Sequence, residues 1–260
     1  MPGVVGLDRA EREGWERDGF VLLHGLASAD VCKGMLARAV SLAREQARGR
    51  DLGLPFVLPE PSTRDSAQQP EDAVGKIFRL HPDDPVFEPF SRMPALLDPL
   101  ESLLGPAFDC FLSQFIFKNP GALGQPWHQD SYYFPFEPDH QVGVWVAVTA
   151  ATLENGPLWV LPGSHRERVH EHVPDRREHS QIGYMEIVDH DMSAATPVLM
   201  DPGDVLLFDS HLMHRSTDNG SEGIRAAMVY HYSPAGTHDG STGFTPNRWV
   251  PVRRPAAEAN

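Results

Sequence analysis

Two candidate metal ligands, His128 and Asp130, stand two positions apart, and they restrict the folds that this chain can adopt. If residues 127–130 form a β-strand, both side chains leave the same face and can point at one site. Two ligands do not close a metal site, so a third must come from a distant part of the sequence. The segment 209–216 offers His211 and His214, and the chain must therefore fold so that the two segments meet.

The choice between His211 and His214 is not decided by strand periodicity. Positions 211 and 214 differ in parity, so only one of the two imidazoles can point inward from a strand, and the pattern alone does not fix the register. Either histidine would complete a set of two histidines and one carboxylate with other coordination positions open. Non-haem Fe(II) oxygenases use this arrangement, and zinc hydrolases that activate water are the alternative.

Arg225 begins a run of small and apolar residues, 226–229, that predicts a buried strand. An arginine facing the interior of a barrel is costly without a counterion, and a carboxylate matches its planar fork. Arg225 is therefore predicted to bind the carboxylate of a cosubstrate. The alternative is an exposed strand end in which Arg225 pairs with Asp218 or Glu222.

Short candidate strands separated by Gly and Pro turns dominate the second half of the chain and predict a sandwich or barrel. A metal site inside such a scaffold favours a mainly β fold with flanking helices, a double-stranded β-helix or jelly roll. We expect a single domain with a helical N-terminal part at 7–104, a jelly-roll core at 105–235 and a C-terminal tail at 236–260. Residues 49–75 are expected to form a long loop, either a lid or disordered.

The acidic balance of the chain restricts its partners. The 260 residues include 22 basic and 36 acidic side chains, a formal net charge of −14, which argues against nucleic acid and anionic membranes. Cys32 and Cys110 have no metal-site spacing and are expected to be buried thiols in a reducing compartment. We see neither a secretory pattern nor an apolar run that could span a bilayer, and we expect a cytoplasmic protein. The oligomeric state stays open.

The remaining histidines are expected to be solvated or to have partners in the core. A second metal site among 165–179 would need four convergent ligands, and we do not expect one. These histidines are His24, His81, His140, His165, His170, His172, His179, His190, His231 and His238.

Several segments occur in an order that is typical of one family. They are the aromatic segment 115–121, the alternating strand 142–148, the loop 155–165 and the strand entry 202–208, together with His128, Asp130, His214 and Arg225. This order resembles the phytanoyl-CoA dioxygenase family of Fe(II)/2-oxoglutarate-dependent oxygenases. The resemblance extends from about Gly14 to Tyr232.

The resemblance implies a metal site and a cosubstrate site. It assigns Fe(II) to His128, Asp130 and His214, and it prefers His214 to His211 because Ser216 and Arg225 follow His214 at the family's spacings. Dioxygen would be the other reactant at the metal. The residues implied to contact 2-oxoglutarate are Arg225, Ser216, Trp145, Gln129 and Lys76.

The implied activity is hydroxylation of an aliphatic C–H bond in a small molecule, with release of succinate and CO2. The family acts on acyl-CoA thioesters, amino-acid-like solutes and secondary metabolites, so the resemblance does not fix the substrate. Related halogenases have a small residue in place of the carboxylate, and Asp130 therefore favours hydroxylation. Gln114, Tyr132 and Phe134 are expected at the substrate end of the pocket. The alternatives are a zinc-dependent hydrolase and a catalytically silent jelly-roll binding protein.

Overall fold

The computed structural model describes residues 6–242 and 249–255, in which the chain forms five α-helices and fifteen β-strands. The helices are α1 (Arg9–Asp18), α2 (Ala29–Ala47), α3 (Glu88–Ser91), α4 (Pro94–Leu104) and α5 (Asp130–Tyr133). The strands are β1 (Phe20–Leu23), β2 (Phe56–Pro59), β3 (Val74–Phe78), β4 (Phe108–Lys118), β5 (Phe136–Glu137), β6 (Val142–Ala147), β7 (Leu158–Val160), β8 (Val173–Pro174), β9 (Met185–Glu186), β10 (Thr196–Val198), β11 (Val205–Asp209), β12 (His214–Ser216), β13 (Arg225–Pro234), β14 (His238–Asp239) and β15 (Val250–Arg253).

The first helix begins and ends where its sequence predicts. Asp8 caps α1 by accepting a hydrogen bond from the backbone N–H of Glu11, whose side chain in turn accepts one from the backbone N–H of Asp8. This reciprocal pair satisfies two N–H groups that the helix itself cannot bond. Gly19 ends the helix in a left-handed conformation with a φ of 84°, which glycine adopts without steric cost. The chain therefore enters β1 at a fixed point.

Two antiparallel sheets form the jelly roll, which confirms the predicted fold class. The large sheet has the strand order β1-β11-β6-β13-β4-β3-β2, with β15 also paired to β4, and the smaller sheet has the order β10-β7-β12. Apolar side chains of both sheets form one cluster between them, which includes Trp145, Leu158, Val160, Leu206 and Val229. This inner face is where a barrel can hold a site.

The opposite face of the large sheet packs on the helices. Side chains alternate along β13, so Met228 and Tyr230 join the helix-facing core while Val229 points between the sheets. The buried hydroxyl of Tyr230 donates to the backbone carbonyl of Phe87 at 2.8 Å, and that of Tyr232 donates to Ser91 at 3.0 Å. These bonds attach the segment around α3 to the sheet.

Residues 49–75 are ordered against the sheet, whereas the sequence predicts a long loop there. Strand β2 pairs with β3, and two short 3₁₀ turns, Arg64–Ser66 and Pro70–Ala73, lie between the two strands. The buried side-chain amide of Asn119 donates to the carbonyls of Glu71 and Asp72 at 3.0 and 3.1 Å. Pro59 fits because β2 is the outermost strand of the path, where a missing N–H breaks no ladder.

The predicted C-terminal tail also contributes to the sheet. Strand β15 pairs with β4, and the ring of Trp249 lies on those of Phe111 and Phe136 with centroids 5.2 and 5.1 Å away. The sequence shows no periodicity there, because the strand is short and contains Pro251. In the part of the chain that the structure describes, no helix is long and apolar enough to cross a membrane.

We expect Tyr230→Phe to lower the free energy of unfolding by about 1–2 kcal/mol. The change removes the hydrogen bond of Tyr230 to the carbonyl of Phe87 and leaves that carbonyl only the longer bond from the N–H of Ser91 at 3.3 Å; a buried hydrogen bond contributes about 1 kcal/mol. Urea unfolding of the variant and the wild type measures the difference. The control is Tyr132→Phe, at a tyrosine that is 37% exposed, where a change within about 0.5 kcal/mol is expected. Equal effects of the two variants would contradict this account.

Candidate active site

The segment 127–130 is not a strand, and the prediction of one was wrong. His128 forms an isolated bridge with His214, and α5 begins at Asp130. The backbone turns here because Ser131 bonds to the loop before β12: its N–H donates to the carbonyl of Ser210, and its hydroxyl donates to that of Ser210 at 2.8 Å. Asp130 therefore reaches the site from a helical turn and not from the face of a strand.

His128, Asp130 and His214 nevertheless converge on one point. The Oδ1 atom of Asp130 lies 3.7 Å from Nε2 of His128 and 3.8 Å from Nε2 of His214, and all three residues are buried. The backbone N–H of each histidine donates to the carbonyl of the other, at 2.9 and 3.0 Å. This reciprocal pair fixes the two imidazoles side by side, with ring centroids 4.1 Å apart.

The hydrogen bonds of both imidazoles prepare them to bind a metal. Nδ1 of His128 lies 2.7 Å from the carbonyl of Pro126, and Nδ1 of His214 lies 2.9 Å from that of Leu212. A carbonyl only accepts, so each Nδ1 carries the hydrogen and each Nε2 presents its lone pair to the site. Burial, and then His214, lower the pKa of His128 well below its ordinary value and keep it neutral. Two imidazole Nε2 atoms and a carboxylate fit a divalent iron with open positions.

His211 points away from this centre. Its Nε2 lies 2.9 Å from Oδ2 of Asp139, and its Nδ1 lies 3.5 Å from Oδ1 of Asp209. Hydrogen bonds to Asp139 and then Asp209 raise the pKa of His211 to about 9. An imidazole that is protonated at neutral pH has no lone pair for a metal, so His214 is the histidine that the fold presents.

Arg225 is buried and lacks a carboxylate partner among the residues described. It is 1% exposed, its Nε donates to the carbonyl of Gly156 at 3.2 Å, and its Nη1 has no hydrogen-bond partner. Its guanidinium carbon lies 5.3 Å from the ring centroid of Trp145, a favourable cation–π contact. Burial lowers the pKa of Arg225 to about 10, partly opposed by Tyr184. The side chain is thus charged at neutral pH and available to an anion.

One cavity of about 250 Å³ joins the three candidate ligands to Arg225. Most of the residues predicted for the cosubstrate and the substrate line it, namely Lys76, Gln114, Phe134, Trp145 and Ser216. Lys76 contacts Gln125 through a hydrogen bond of 3.2 Å and lies 4.9 Å from the ring centroid of Tyr184. Burial lowers the pKa of Lys76 to about 8, although Asp130 and Glu60 act in the opposite direction.

Two predicted site residues do not line this cavity. The side-chain amide of Gln129 donates to the carbonyls of Arg168 and His211 and accepts from the backbone N–H of His170. Gln129 therefore holds the loop around 168–170 and is turned away from the cavity. Tyr132 is 37% exposed and stacks on His172 with ring centroids 4.1 Å apart.

His231 and Lys118 belong to the cavity wall, and the sequence analysis missed both. Nδ1 of His231 lies 3.6 Å from Oδ2 of Asp130, and its buried Nε2 has no hydrogen-bond partner in the part of the chain described. Strand alternation contains the signal for each, since His231 is six positions after Arg225 and Lys118 is four after Gln114. Further wall residues come from segments without periodicity: Glu60, Gln181 and Tyr184.

A second group of possible ligands lies at the surface. Nε2 of His170 and Nε2 of His190 lie 2.9 and 3.1 Å from the same carboxylate oxygen of Glu167. Glu167 is 42% exposed, and the imidazoles serve as its hydrogen-bond donors. The polar atoms of Glu167, His170 and His190 thus have one another as hydrogen-bond partners.

A jelly roll with two histidines and an aspartate converging beside a cavity that contains a buried arginine defines a 2-oxoglutarate-dependent non-haem iron oxygenase. Residues 15–227 match the family described as "Phytanoyl-CoA dioxygenase (PhyH)". The chain belongs to this family, which confirms the resemblance seen in the sequence and makes it an enzyme of the dioxygenase class.

Relatives of known name share most of the length of the chain. The peroxisomal phytanoyl-CoA dioxygenase of Bos taurus is 28% identical over 239 residues, which cover 89% of this chain and 70% of the relative. Phytanoyl-CoA dioxygenase domain-containing protein 1 of Bos taurus is 28% identical over 283 residues, which cover 94% of each chain. The similarity therefore extends beyond the residues of the candidate site.

Solved structures share the fold at lower identity. The apo form of ThoJ, described as a non-heme monooxygenase, superposes with a TM-score of 0.71 at 24% identity, covering 94% of this chain and 84% of that one. EctD from S. alaskensis with 2-oxoglutarate and 5-hydroxyectoine superposes with a TM-score of 0.69 at 23% identity, covering 91% and 79%. These likenesses support the jelly-roll fold.

We expect the stability contributed by His211 to disappear at alkaline pH. Its folded-state pKa of about 9 is raised above the ordinary 6.5, so the contribution is fully present below pH 6.5 and is lost as the pH rises through about 9. Urea unfolding should show His211→Gln to be about 1–2 kcal/mol less stable than the wild type near pH 6. Near pH 10 the difference should become small. A difference of the same size at both pH values would show that the charge of His211 is not involved.

Proposed function

We propose that this protein is an Fe(II)- and 2-oxoglutarate-dependent dioxygenase that hydroxylates an aliphatic C–H bond of a small molecule, releasing succinate and CO2. One observation carries the proposal. A single cavity joins two histidines and a carboxylate to Arg225, a buried guanidinium with a free Nη1. The cosubstrate 2-oxoglutarate can meet both features: its 2-oxo acid end can chelate the metal, and its other carboxylate can pair with the arginine.

His128, Asp130 and His214 would hold the iron. The bound metal supplies the chemistry of oxygen activation, which is coupled to the decarboxylation of the cosubstrate. The protein directs both Nε2 atoms to the site by binding each Nδ1 to a carbonyl, that of Pro126 or Leu212. It also excludes bulk water, since all three side chains are buried. The presence of Asp130 supports hydroxylation over halogenation.

Arg225, Ser216, Trp145 and Lys76 would bind 2-oxoglutarate. The free Nη1 of Arg225 can donate to the distal carboxylate of the cosubstrate, and the ring of Trp145 holds the guanidinium from one side. Lys76 lies on the same cavity wall and adds a second positive charge, since its pKa of about 8 leaves it mostly protonated at pH 7. Ser216 lines the same cavity.

Gln114 and Phe134 would contact the substrate. They line the cavity together with apolar residues that include Leu112 and Val229. The names of the relatives suggest an acyl-CoA thioester, whereas the structure of EctD was determined with 5-hydroxyectoine, an amino-acid-like solute. We therefore propose an acyl-CoA, an amino-acid-like solute or a secondary metabolite as the substrate.

Addition of Fe(II) and 2-oxoglutarate to metal-free protein without oxygen should produce the visible charge-transfer band of the chelate. His214→Ala should abolish the band, because it removes a metal ligand. Arg225→Met should require at least about tenfold more 2-oxoglutarate to produce it, because a charge-assisted hydrogen bond is lost. Absorption titration under anaerobic conditions measures both effects.

The matched control for this titration is His211→Ala, which removes the neighbouring histidine that points away from the centre and should leave the band in place. Succinate release in air then reports turnover with candidate substrates. Absence of the band from the wild type, with tight binding of Zn(II) instead, would overturn the oxygenase proposal in favour of a zinc hydrolase.

A further inference from the structure

The hydroxyl of Ser216 is restricted to one role by its neighbours. Its Oγ accepts a hydrogen bond from Nζ of Lys118 at 3.0 Å and another from the backbone N–H of Gln125 at 3.1 Å. A serine hydroxyl has two lone pairs and one hydrogen, so both acceptor positions are filled. The remaining hydrogen has no acceptor among residues 6–242 and 249–255. Ser216 lines the cavity, and its hydroxyl can therefore serve a ligand only as a donor.

Lys118 is the residue that imposes this role. Its Nζ donates to Ser216, to the carbonyl of Thr217 at 2.7 Å and to that of Leu123 at 3.3 Å. An ammonium has three donors, so none is left for a ligand. Lys118 is 3% exposed and forms no ion pair with a carboxylate in the described part of the chain. It thus makes no hydrogen bond of its own to a ligand and reaches one through Ser216.

The sheet places Lys118 beside Arg225. The two residues are directly opposite each other in the pairing of β4 with β13, so their side chains share a face. Gly156 completes the arrangement: its carbonyl accepts from Nε of Arg225, and a Cβ at position 156 would lie 2.8 Å from Cδ of Lys118. Burial, and then Arg225, lower the pKa of Lys118 well below its ordinary value. A carboxylate bound at this wall would interact favourably with both side chains.

We propose that Lys118 is a positioning residue for the distal carboxylate of 2-oxoglutarate, which it serves by fixing Ser216 as a hydrogen-bond donor. The inference rests on the proposed function and adds to it a residue that makes no contact with the cosubstrate. Arg225 supplies the direct charge–charge contact, and Lys118 orients the neutral donor beside it. Together they present two donors of fixed direction to one carboxylate.

A double-mutant cycle tests this coupling. The affinity for 2-oxoglutarate would be measured by anaerobic titration of the charge-transfer band in Fe(II)-loaded wild type, Lys118→Met, Ser216→Ala and the double variant. We expect each single variant to bind 2-oxoglutarate about tenfold more weakly. In the Ser216→Ala background, Lys118→Met should weaken binding by less than about twofold, because its target hydroxyl is absent.

The affinity for Fe(II) without 2-oxoglutarate is the control for a merely structural role. Lys118→Met should leave it within about twofold of the wild type, since Lys118 contacts none of the three candidate ligands. If Lys118→Met does not fold, Lys118→Gln removes the charge with a smaller change in polarity and takes its place in the cycle. Thermal unfolding checks each variant before titration.

Three results would overturn the inference. Unchanged affinity for 2-oxoglutarate in Lys118→Met would show that Lys118 has no part in the site. Effects of Lys118→Met and Ser216→Ala that simply multiply would show that it does not act through Ser216. An equal loss of Fe(II) affinity would show a structural role. Absence of the band from the wild type is a different outcome, because it would refute the oxygenase proposal itself.

Discussion

The reciprocal backbone hydrogen bonds between His128 and His214 are the interaction on which the site depends. The two residues are far apart in sequence, and the pair at 2.9 and 3.0 Å is the contact that makes them neighbours. Because side chains alternate along extended chains, a slip of one residue would turn one imidazole to the opposite face. The carbonyls of Pro126 and Leu212 then set the tautomers. The position and the orientation of both imidazoles therefore come from the backbone.

The cationic wall of the cavity is costly to the free protein. Arg225 and Lys118 are both nearly inaccessible to water, and Arg225 disfavours the charged form of Lys118. The cost is partly offset by Trp145, which contacts the guanidinium, and by the three acceptors around Lys118. An anion bound at this wall would stabilise the folded chain, since a ligand that binds only the folded state raises its stability. The stability of the folded chain is thus coupled to the binding of an anion at this wall.

Strand alternation explains how much of the site the sequence predicts. Arg225 on β13 and Trp145 on β6 belong to regular strands, and their inward positions follow from period two. The same rule places His231 and Lys118 inside, but the sequence alone gives a histidine or a lysine no reason to be buried. Gln129 was assigned to the cosubstrate by the family resemblance alone, and alternation already turns the residue between His128 and Asp130 away from them. Its side-chain amide bonds the loop around 168–170 instead.

Contacts between segments that are remote in sequence cannot be predicted from strand alternation. Residues 49–75 show no periodic pattern of apolar residues. Their position depends on contacts with another segment, such as the hydrogen bonds from the side-chain amide of Asn119. Glu60 from this segment and Gln181 from a distant loop meet at the cavity through a short hydrogen bond. The sequence around each residue does not predict that it lines a cavity, because the position of each depends on its contact with the other. The fold class was therefore predictable from the strands, whereas the wall opposite them was not.

The charges along the cavity favour a ligand that is acidic at one end and chelating at the other. A monocarboxylate on the metal would leave Arg225 buried without an anion, and a zinc-bound water would do the same. A diacid with a 2-oxo group at one end satisfies both the open face of the metal and the free Nη1 of Arg225. Asp130 favours one orientation of such a diacid in the cavity. Its negative charge at the metal end repels a carboxylate that is not bound to the metal. In the proposed function, the distal carboxylate would therefore lie at the end at which Arg225 and Lys118 are opposite each other.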